Sequence, residues 1–368
     1  MKKILFIFLG LNYSGAEMVL EKYIKGNISI DPYFVVLYNE TKVNQIFCER
    51  YGKDKIINLE LRYNKNILRF LPILESERLV RKLHNVISVI NPDIIYANNT
   101  LETMLIGLKK RNINIPIIGH IHDMSYGIKS PIKKICINRA IKNIESSITV
   151  SKACQRSWKG IKKVIYNGID KGEFNYSKIN SISNIGYVGA LSYRKGFDVF
   201  LEFCKCILER EKKVKIHIVY SEGTDNKYLS DLNEIISKFP ENIIVKKNLN
   251  KNEMTEFYNK IDLLVVPSRN DPFPTVILEA MSKGRLVIGS NVDGIPELLQ
   301  YNEKLLFNKN NFRSIEKLFN YLTNISTEEL NKLGLELYNN CKNVFKNEEK
   351  TKRINSIIYE LNFNKKEG

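Results

Sequence analysis

Apolar residues along the chain fall into short runs separated by longer stretches with helical spacing. KILFIFLG (3–10), DPYFVVLY (31–38), DIIYANN (93–99), PIIGHIH (116–122), SSITVS (146–151) and KKVIYNG (162–168) are rich in Ile, Val, Phe and Tyr and predict buried strands. Between them, GAEMVLEKYI (15–24) and SERLVRKLHNVISVI (76–90) have the amphipathic pattern of helices packed by one face. Apolar strands alternating with helices predict a mainly parallel sheet covered on both faces. Residues 171–183, KGEFNYSKINSIS, are polar and aperiodic, as an interdomain linker would be. The alternation then resumes with NIGYVG (184–189), KIHIVYS (215–221), NIIVKKN (242–248), DLLVVPS (262–268) and RLVIGS (285–290).

The two openings follow one plan. Residues 3–24 and 184–207 each run strand, glycine, short loop with a second glycine, helix. Two doubly wound, Rossmann-like α/β domains are therefore expected, facing a central cleft with the carboxyl ends of their strands, where such sheets bind ligands. The expected boundaries are 1–175 for an amino-terminal domain and 183–345 for a second. A carboxyl-terminal helix over 346–368 is expected to pack back toward the first.

Composition narrows the class. A chain of 368 residues suits two domains, and 43% hydrophobic with 26% charged residues is ordinary for a soluble protein. No apolar run approaches the roughly 18 residues of a membrane span. The basic, apolar start MKKILFIFLGL flows into a glycine turn and a helical pattern, so it reads as a first strand rather than a signal peptide. Six scattered cysteines without metal-ligand or paired spacing fit a reduced, cytoplasmic protein. The net charge of +17 is uneven: residues 1–180 hold 29 basic against 15 acidic side chains, and the remainder 28 against 25. A basic amino-terminal half predicts an anionic partner, whether a lipid surface, a phosphorylated substrate or nucleic acid. LRYNKNILRFLPIL (61–74) and IKSPIKKICINRAIKN (128–143) mix cations with apolar side chains as interfacial helices do.

The chemistry concentrates in NDPFPTVILEAMSKGRLVIGSNVDGIPE (270–297). A strand ends at 268, Asp271 lies in the following loop, Thr275 is the expected helix cap, Glu279 sits about one turn in, and Gly284 is a natural terminator. The helix amino terminus favours an anion. A loop carboxylate and a helix carboxylate flanking it suit a molecule with hydroxyls at both ends and a diphosphate between. In GALSYRKGFD (189–198) a glycine loop with Arg194 and Lys195 offers close backbone approach and positive charge to phosphates. GHIHDM places His120 and His122 on one face of a strand end, with His122 the candidate for contact with ligand and His84 and His217 read as packing or surface residues. No Asp-x-Asp pair, nucleophile elbow or phosphate-binding Walker loop occurs.

In order along nearly the whole chain, GAE (15–17), PDIIYANN, HIHDM, TVSKACQ, VIYNGID, VGALSYRKG and PSRNDPFPTVILEAMSKGRLVIGSNVDGIPE resemble the motifs of the retaining glycosyltransferases of family 4, which have the GT-B fold. The resemblance implies transfer of a hexose-type sugar from a UDP- or GDP-sugar to a hydroxyl of a saccharide or lipid-linked saccharide, in surface polysaccharide biosynthesis. It implies no cofactor and no metal. The chemistry would rest on His122, Asp271 and Lys195. Asp271 would hold donor-sugar hydroxyls, Glu279 the ribose, and Lys195 with Arg194 the diphosphate. Gly15 and the Phe273, Pro274, Thr275, Val276 stretch would line the donor, although prolines bring no amide. Glu17 and Asn98 would meet the acceptor, and His122 the transferred sugar. Two positions depart from the family pattern: Asp271 stands where a glutamate is usual, and Ala190 where an arginine follows Val-Gly. The expected partners are the nucleotide-sugar donor, the acceptor, and an anionic membrane met peripherally by the first domain on the inner face of the cell membrane, with no nucleic acid. The competing reading is a catalytically weakened protein of the same fold, serving as a basic membrane- or nucleic-acid-binding module.

Overall fold

The computed structural model describes residues 1–9, 15–27, 29–37, 41–59, 72–98, 104–221 and 224–363. Its two compact units are Met1–Asn167 with the carboxyl-terminal helix, and Gly168–Lys346.

In the first unit β1 (Lys2–Phe8), β2 (Ile30–Val36), β3 (Ile56–Asn58), β4 (Ile94–Asn98), β5 (Ile117–Ile121), β6 (Ser146–Thr149) and β7 (Lys163–Val164) pair in the order β3-β2-β1-β4-β5-β6-β7 among the described residues. Each of these pairings is parallel. The period-2 geometry of a strand covered on both faces explains why β1 is apolar from Ile4 to Phe8, after its two exposed lysines. Leu5 and Ile7 enter one buried cluster with Leu83, Ile106 and Ile137, whereas Ile4, Phe6 and Phe8 enter the cluster on the other face with Tyr23, Phe34 and Tyr96. The expected first strand at the chain start is β1. The short β3 was not anticipated.

Helices α1 (Gly15–Lys25), α2 (Thr41–Tyr51), α3 (Pro72–Ile90), α4 (Pro131–Asn143) and α5 (Lys152–Ser157) belong to this unit. Most of the segment 61–74 lies outside the described residues, and 128–143 contains α4, capped by Ser130.

The second unit repeats the plan. β8 (Asn184–Val188), β9 (Lys215–Tyr220), β10 (Ile243–Lys247), β11 (Leu263–Val266), β12 (Leu286–Ser290) and β13 (Leu306–Phe307) form a sheet of order β10-β9-β8-β11-β12-β13 among the described residues. Its helices are α6 (Phe197–Arg210), α7 (Asn226–Lys238), α8 (Lys251–Lys260), α9 (Thr275–Met281), α10 (Ile295–Leu298), α11 (Phe312–Asn324) and α12 (Thr327–Val344). In both sheets the first strand of the unit sits centrally, and the order reverses between it and its later neighbour: β1 with β4, β8 with β11. Carboxyl ends at such a reversal diverge and leave a crevice.

The division falls at Asn167, earlier than the expected 175. The polar stretch after it is no loose linker. The Asn175 and Ser177 N–H groups donate to the Ser282 and Lys283 carbonyls, and Ile179 N–H to the Asn331 side chain. The buried Arg285 guanidinium also donates to the Ser177 carbonyl at 2.5 Å. Polar residues here satisfy groups of the second unit, which aperiodic sequence cannot reveal. The last helix, α13 (Asn347–Phe363), places Ile354, Ile357 and Ile358 in the first unit's aromatic cluster.

Candidate functional site

In the first unit the candidate residues gather at the β1/β4 reversal. Asn98 ends β4 and is wholly buried. Its amide N–H donates to the Ala16 carbonyl at the start of α1 at 3.3 Å, so its oxygen faces His122 Nε2 at 3.0 Å. That arrangement makes Nε2 the protonated ring nitrogen of a neutral His122. His122 follows the last residue of β5, and its ring centroid is 4.0 Å from that of His120, as the two-residue spacing on a strand end requires. His120 Nδ1 lies 2.8 Å from the Tyr96 hydroxyl. His122 is only half-buried by exposure, but protein surrounds the ring closely. Burial, with the Lys350 ammonium adding repulsion, pushes its pKa down to about 3. His120 is driven well below its ordinary value by burial first, then by His122 and Lys350. Lys350 itself is buried on α13 and donates to the Val19 carbonyl at 3.2 Å. Glu17 is buried in the first turn of α1, and Gly15, the first helical residue, is exposed.

In the second unit the site forms at the β8/β11 reversal. Lys195 stands on the β8–α6 loop and Asp271 on the β11–α9 loop, and Lys195 Nζ lies 2.5 Å from Asp271 Oδ2. The loop approaches the sheet closely at Gly196. Its φ of +67° is a left-handed conformation, and a Cβ there would meet the Pro267 carbonyl oxygen at 1.9 Å. Arg194 is exposed and donates to the Asn270 carbonyl at 3.1 Å. Ala190, where the resemblance leads one to expect an arginine, offers its carbonyl to the buried Tyr187 hydroxyl at 2.9 Å. Glu279 on α9 accepts from the Tyr258 hydroxyl at 2.8 Å. Burial raises the Tyr258 hydroxyl well above its ordinary pKa, and the Glu279 charge raises it further, so this donor keeps its proton.

One expectation needs correction. Thr275 is not the cap of α9: Pro274 occupies that position, with no side-chain cap bond, and Thr275 is the first helical residue. Pro274 has a fixed φ suited to entering a helix. α9 has only seven residues, and the cations beside its start are Lys195 and Arg194. Phe273 is buried edge-to-face on Phe345 with centroids 5.7 Å apart, while Thr275 and Val276 are half-buried. Gly284 ends the helix turn at φ +73° as anticipated.

Several supporting residues were invisible to spacing arguments. Asp293, after β12, accepts from the Asp271 backbone N–H at 2.9 Å, and Gly294 N–H donates back to the Asp271 carbonyl at 3.3 Å. Arg269 grips Asp198 through two bonds of 2.6 and 2.7 Å and lies 3.8 Å over the Tyr193 ring. The Arg269 contacts fasten the β11–α9 loop to the β8–α6 loop and the start of α6, and the Asp293 and Gly294 contacts fasten it to the segment after β12. The sole sequence signal was the density of charged residues beside glycines.

The fold has known counterparts. The fold matches Anabaena HepE, a protein crystallised with UDP and with UDP-glucose, at a TM-score of 0.81 and 16% identity over 98% of this chain and 100% of that one. The architecture is therefore GT-B, two Rossmann-like units in one chain. The sequence model for "Glycosyltransferase Family 4" matches residues 44–173, and that for "Glycosyl transferases group 1" matches 177–343. The chain belongs to these family 4, group 1 glycosyltransferases. An uncharacterized glycosyltransferase of Methanocaldococcus jannaschii is 28% identical over 61% of this chain and 64% of its own length. The capsular polysaccharide biosynthesis glycosyltransferase CapM of Staphylococcus aureus is 27% identical over 41% of this chain and 40% of its own.

Proposed function

We propose that the chain is a retaining glycosyltransferase that moves a hexose-type sugar from a UDP- or GDP-sugar to a hydroxyl of a saccharide or lipid-linked saccharide. The observation that carries the reading is the second-unit cluster: Lys195 and Asp271 on adjoining loops at the strand-order reversal, with Glu279 on the helix that follows. A cation for a diphosphate, a carboxylate for sugar hydroxyls and a carboxylate for a ribose stand on the β8–α6 loop, the β11–α9 loop and α9, brought together because β8 and β11 are neighbours in the sheet. HepE, of the same architecture, binds UDP and UDP-glucose, and CapM serves capsule synthesis, which supports a nucleotide-sugar donor and a role in surface polysaccharide assembly.

In this mechanism Lys195 stabilises charge accumulating on the leaving diphosphate, a preorganised electrostatic contribution that needs no metal. Arg194, already on the Asn270 carbonyl, adds a second cation beside the position where Ala190 leaves none. His122, neutral and oriented by Asn98, lies against the transferred sugar as a hydrogen-bonding group rather than a charge. Asn98 and Glu17, expected to meet the acceptor, are both buried; Asn98 acts by orienting His122. Retention follows from same-face displacement, in which the donor phosphate takes the acceptor proton, so no protein nucleophile is assigned.

The first unit supplies the acceptor side and a peripheral contact with anionic membrane. On α4, Ile132 and Ile135 are 63% and 67% exposed. They share a helix face with the exposed Arg139, an apolar and basic surface suited to lipid headgroups.

The test is thermal stabilisation by UDP, GDP, ADP and CMP with EDTA present. A nucleotide at about 100 times its Kd adds roughly 2.7 kcal/mol. One nucleotide is expected to stabilise the wild type, and Glu279→Ala to weaken its binding by about tenfold or more through loss of a charge-assisted hydrogen bond. Unchanged affinity refutes the Glu279 assignment. No response to any nucleotide removes the transferase reading in favour of the membrane- or nucleic-acid-binding module.

A further inference from the structure

We propose that the Lys195–Asp271 ion pair makes the donor site discriminate against a bare nucleoside diphosphate in favour of one that carries a sugar. The inference rests on the donor-site reading above and adds a coupling between its two halves.

Without ligand, the two subsites neutralise each other. Lys195 Nζ lies 2.5 Å from Asp271 Oδ2, and the two side chains are 21% and 8% exposed. The partners differ in freedom. Asp271 is pinned through its backbone on both sides, its N–H donating to the Asp293 carboxylate at 2.9 Å and its carbonyl accepting from Gly294 N–H at 3.3 Å. Asp293 holds this position at φ +50°, a left-handed conformation that Asp tolerates better than most residues. Asp271 also has a single methylene between backbone and carboxylate. Lys195 carries its ammonium on a four-carbon stem. Arg194 is committed to the Asn270 carbonyl and not to the Asp271 carboxylate. When an anion enters, the ammonium is the group that moves.

A diphosphate that draws Lys195 toward itself leaves a buried carboxylate with less compensation and brings a second anion close to it. Removing one partner of a buried pair carries a large penalty. A sugar on the diphosphate returns what the carboxylate lost, because its hydroxyls are donors at the position Lys195 vacates. A nucleoside diphosphate without the sugar bears the penalty uncompensated. Substrate therefore gains over product at the same site, and the spent nucleotide is released once its sugar has been transferred.

The test is calorimetric titration of UDP and GDP into the wild type, Asp271→Asn and Asp271→Ser, with thermal unfolding confirming that at least one variant is folded. Removing the carboxylate frees Lys195, so the nucleotide that binds the wild type is expected to bind the folded variant about tenfold tighter, the size of a modest electrostatic gain. Transfer activity is expected to fall in the same variant. Equal or weaker nucleotide binding by the variant overturns the coupling and leaves the donor site standing. Failure of both nucleotides to bind the wild type overturns the donor reading, and the coupling falls with it.

Discussion

At the residue scale, histidine protonation gives the most direct handle. Burial holds His122 at about 3 and His217 at about 4, and His120 also lies well below its ordinary value. The unfolded chain takes up these protons near pH 6.5, whereas the folded chain does not. Stability is therefore full above about pH 6.5 and is lost as pH falls toward the folded values, by up to about 1.4 kcal/mol per unit per buried histidine. Melting temperature is expected to decline between pH 6.5 and 5, where carboxylates contribute little, and His217→Gln to flatten the slope. A melting temperature constant over that interval contradicts the neutral, buried assignment. Asp271, Glu279 and Lys195 were legible in the sequence because each is spaced from a glycine, proline or strand end that fixes its local geometry. Asp293 and Tyr258 were not. Their contacts cross from one loop or helix to another, 22 and 21 residues away.

At the scale of elements, α13 matters most to the first unit. Tyr23 donates to Asn355 at 2.9 Å, Asn27 donates to both at 3.0 and 2.7 Å, and Lys350 reaches the Val19 carbonyl. With Ile354, Ile357 and Ile358 in the aromatic cluster, this distant segment completes the core under β1. Ile354→Ala removes a wholly buried side chain and is expected to cost about 2–5 kcal/mol. Hydrogen exchange should report the loss in α1 and β1, with β8 and β11 unaffected; unchanged protection in β1 would contradict the packing. The long helices and central strands were readable from their periodicity. The edge strands β3 and β13, with three and two residues, were too short to show any. The cap of α9 was misplaced for a different reason: a threonine before an apolar run looks like a cap, but the preceding proline already supplies the helix entry.

At the scale of the whole molecule, the proposed anionic partner rests on the excess of 29 basic over 15 acidic side chains in residues 1–180. No helix among the described residues is long and apolar enough to cross a membrane, and the contact proposed above is a peripheral one. Liposomes containing anionic lipid are expected to co-sediment the chain at low salt and to release it as ionic strength rises, because screening shortens the reach of these charges. Ile132→Ser with Ile135→Ser is expected to weaken sedimentation at every salt concentration. Absence of binding at low salt rules the surface out.

Alternating strands and helices, the repeated opening and the ordered motifs fixed the two Rossmann-like units from sequence alone, since each depends on periodicity or on residues close together in the chain. Tertiary structure alone decided which unit owns 168–183, how α13 completes the first core, and that Lys195 neutralises Asp271. Those facts are set by pairings across long sequence separations, where packing and charge compensation choose the partner and local pattern carries no record of it.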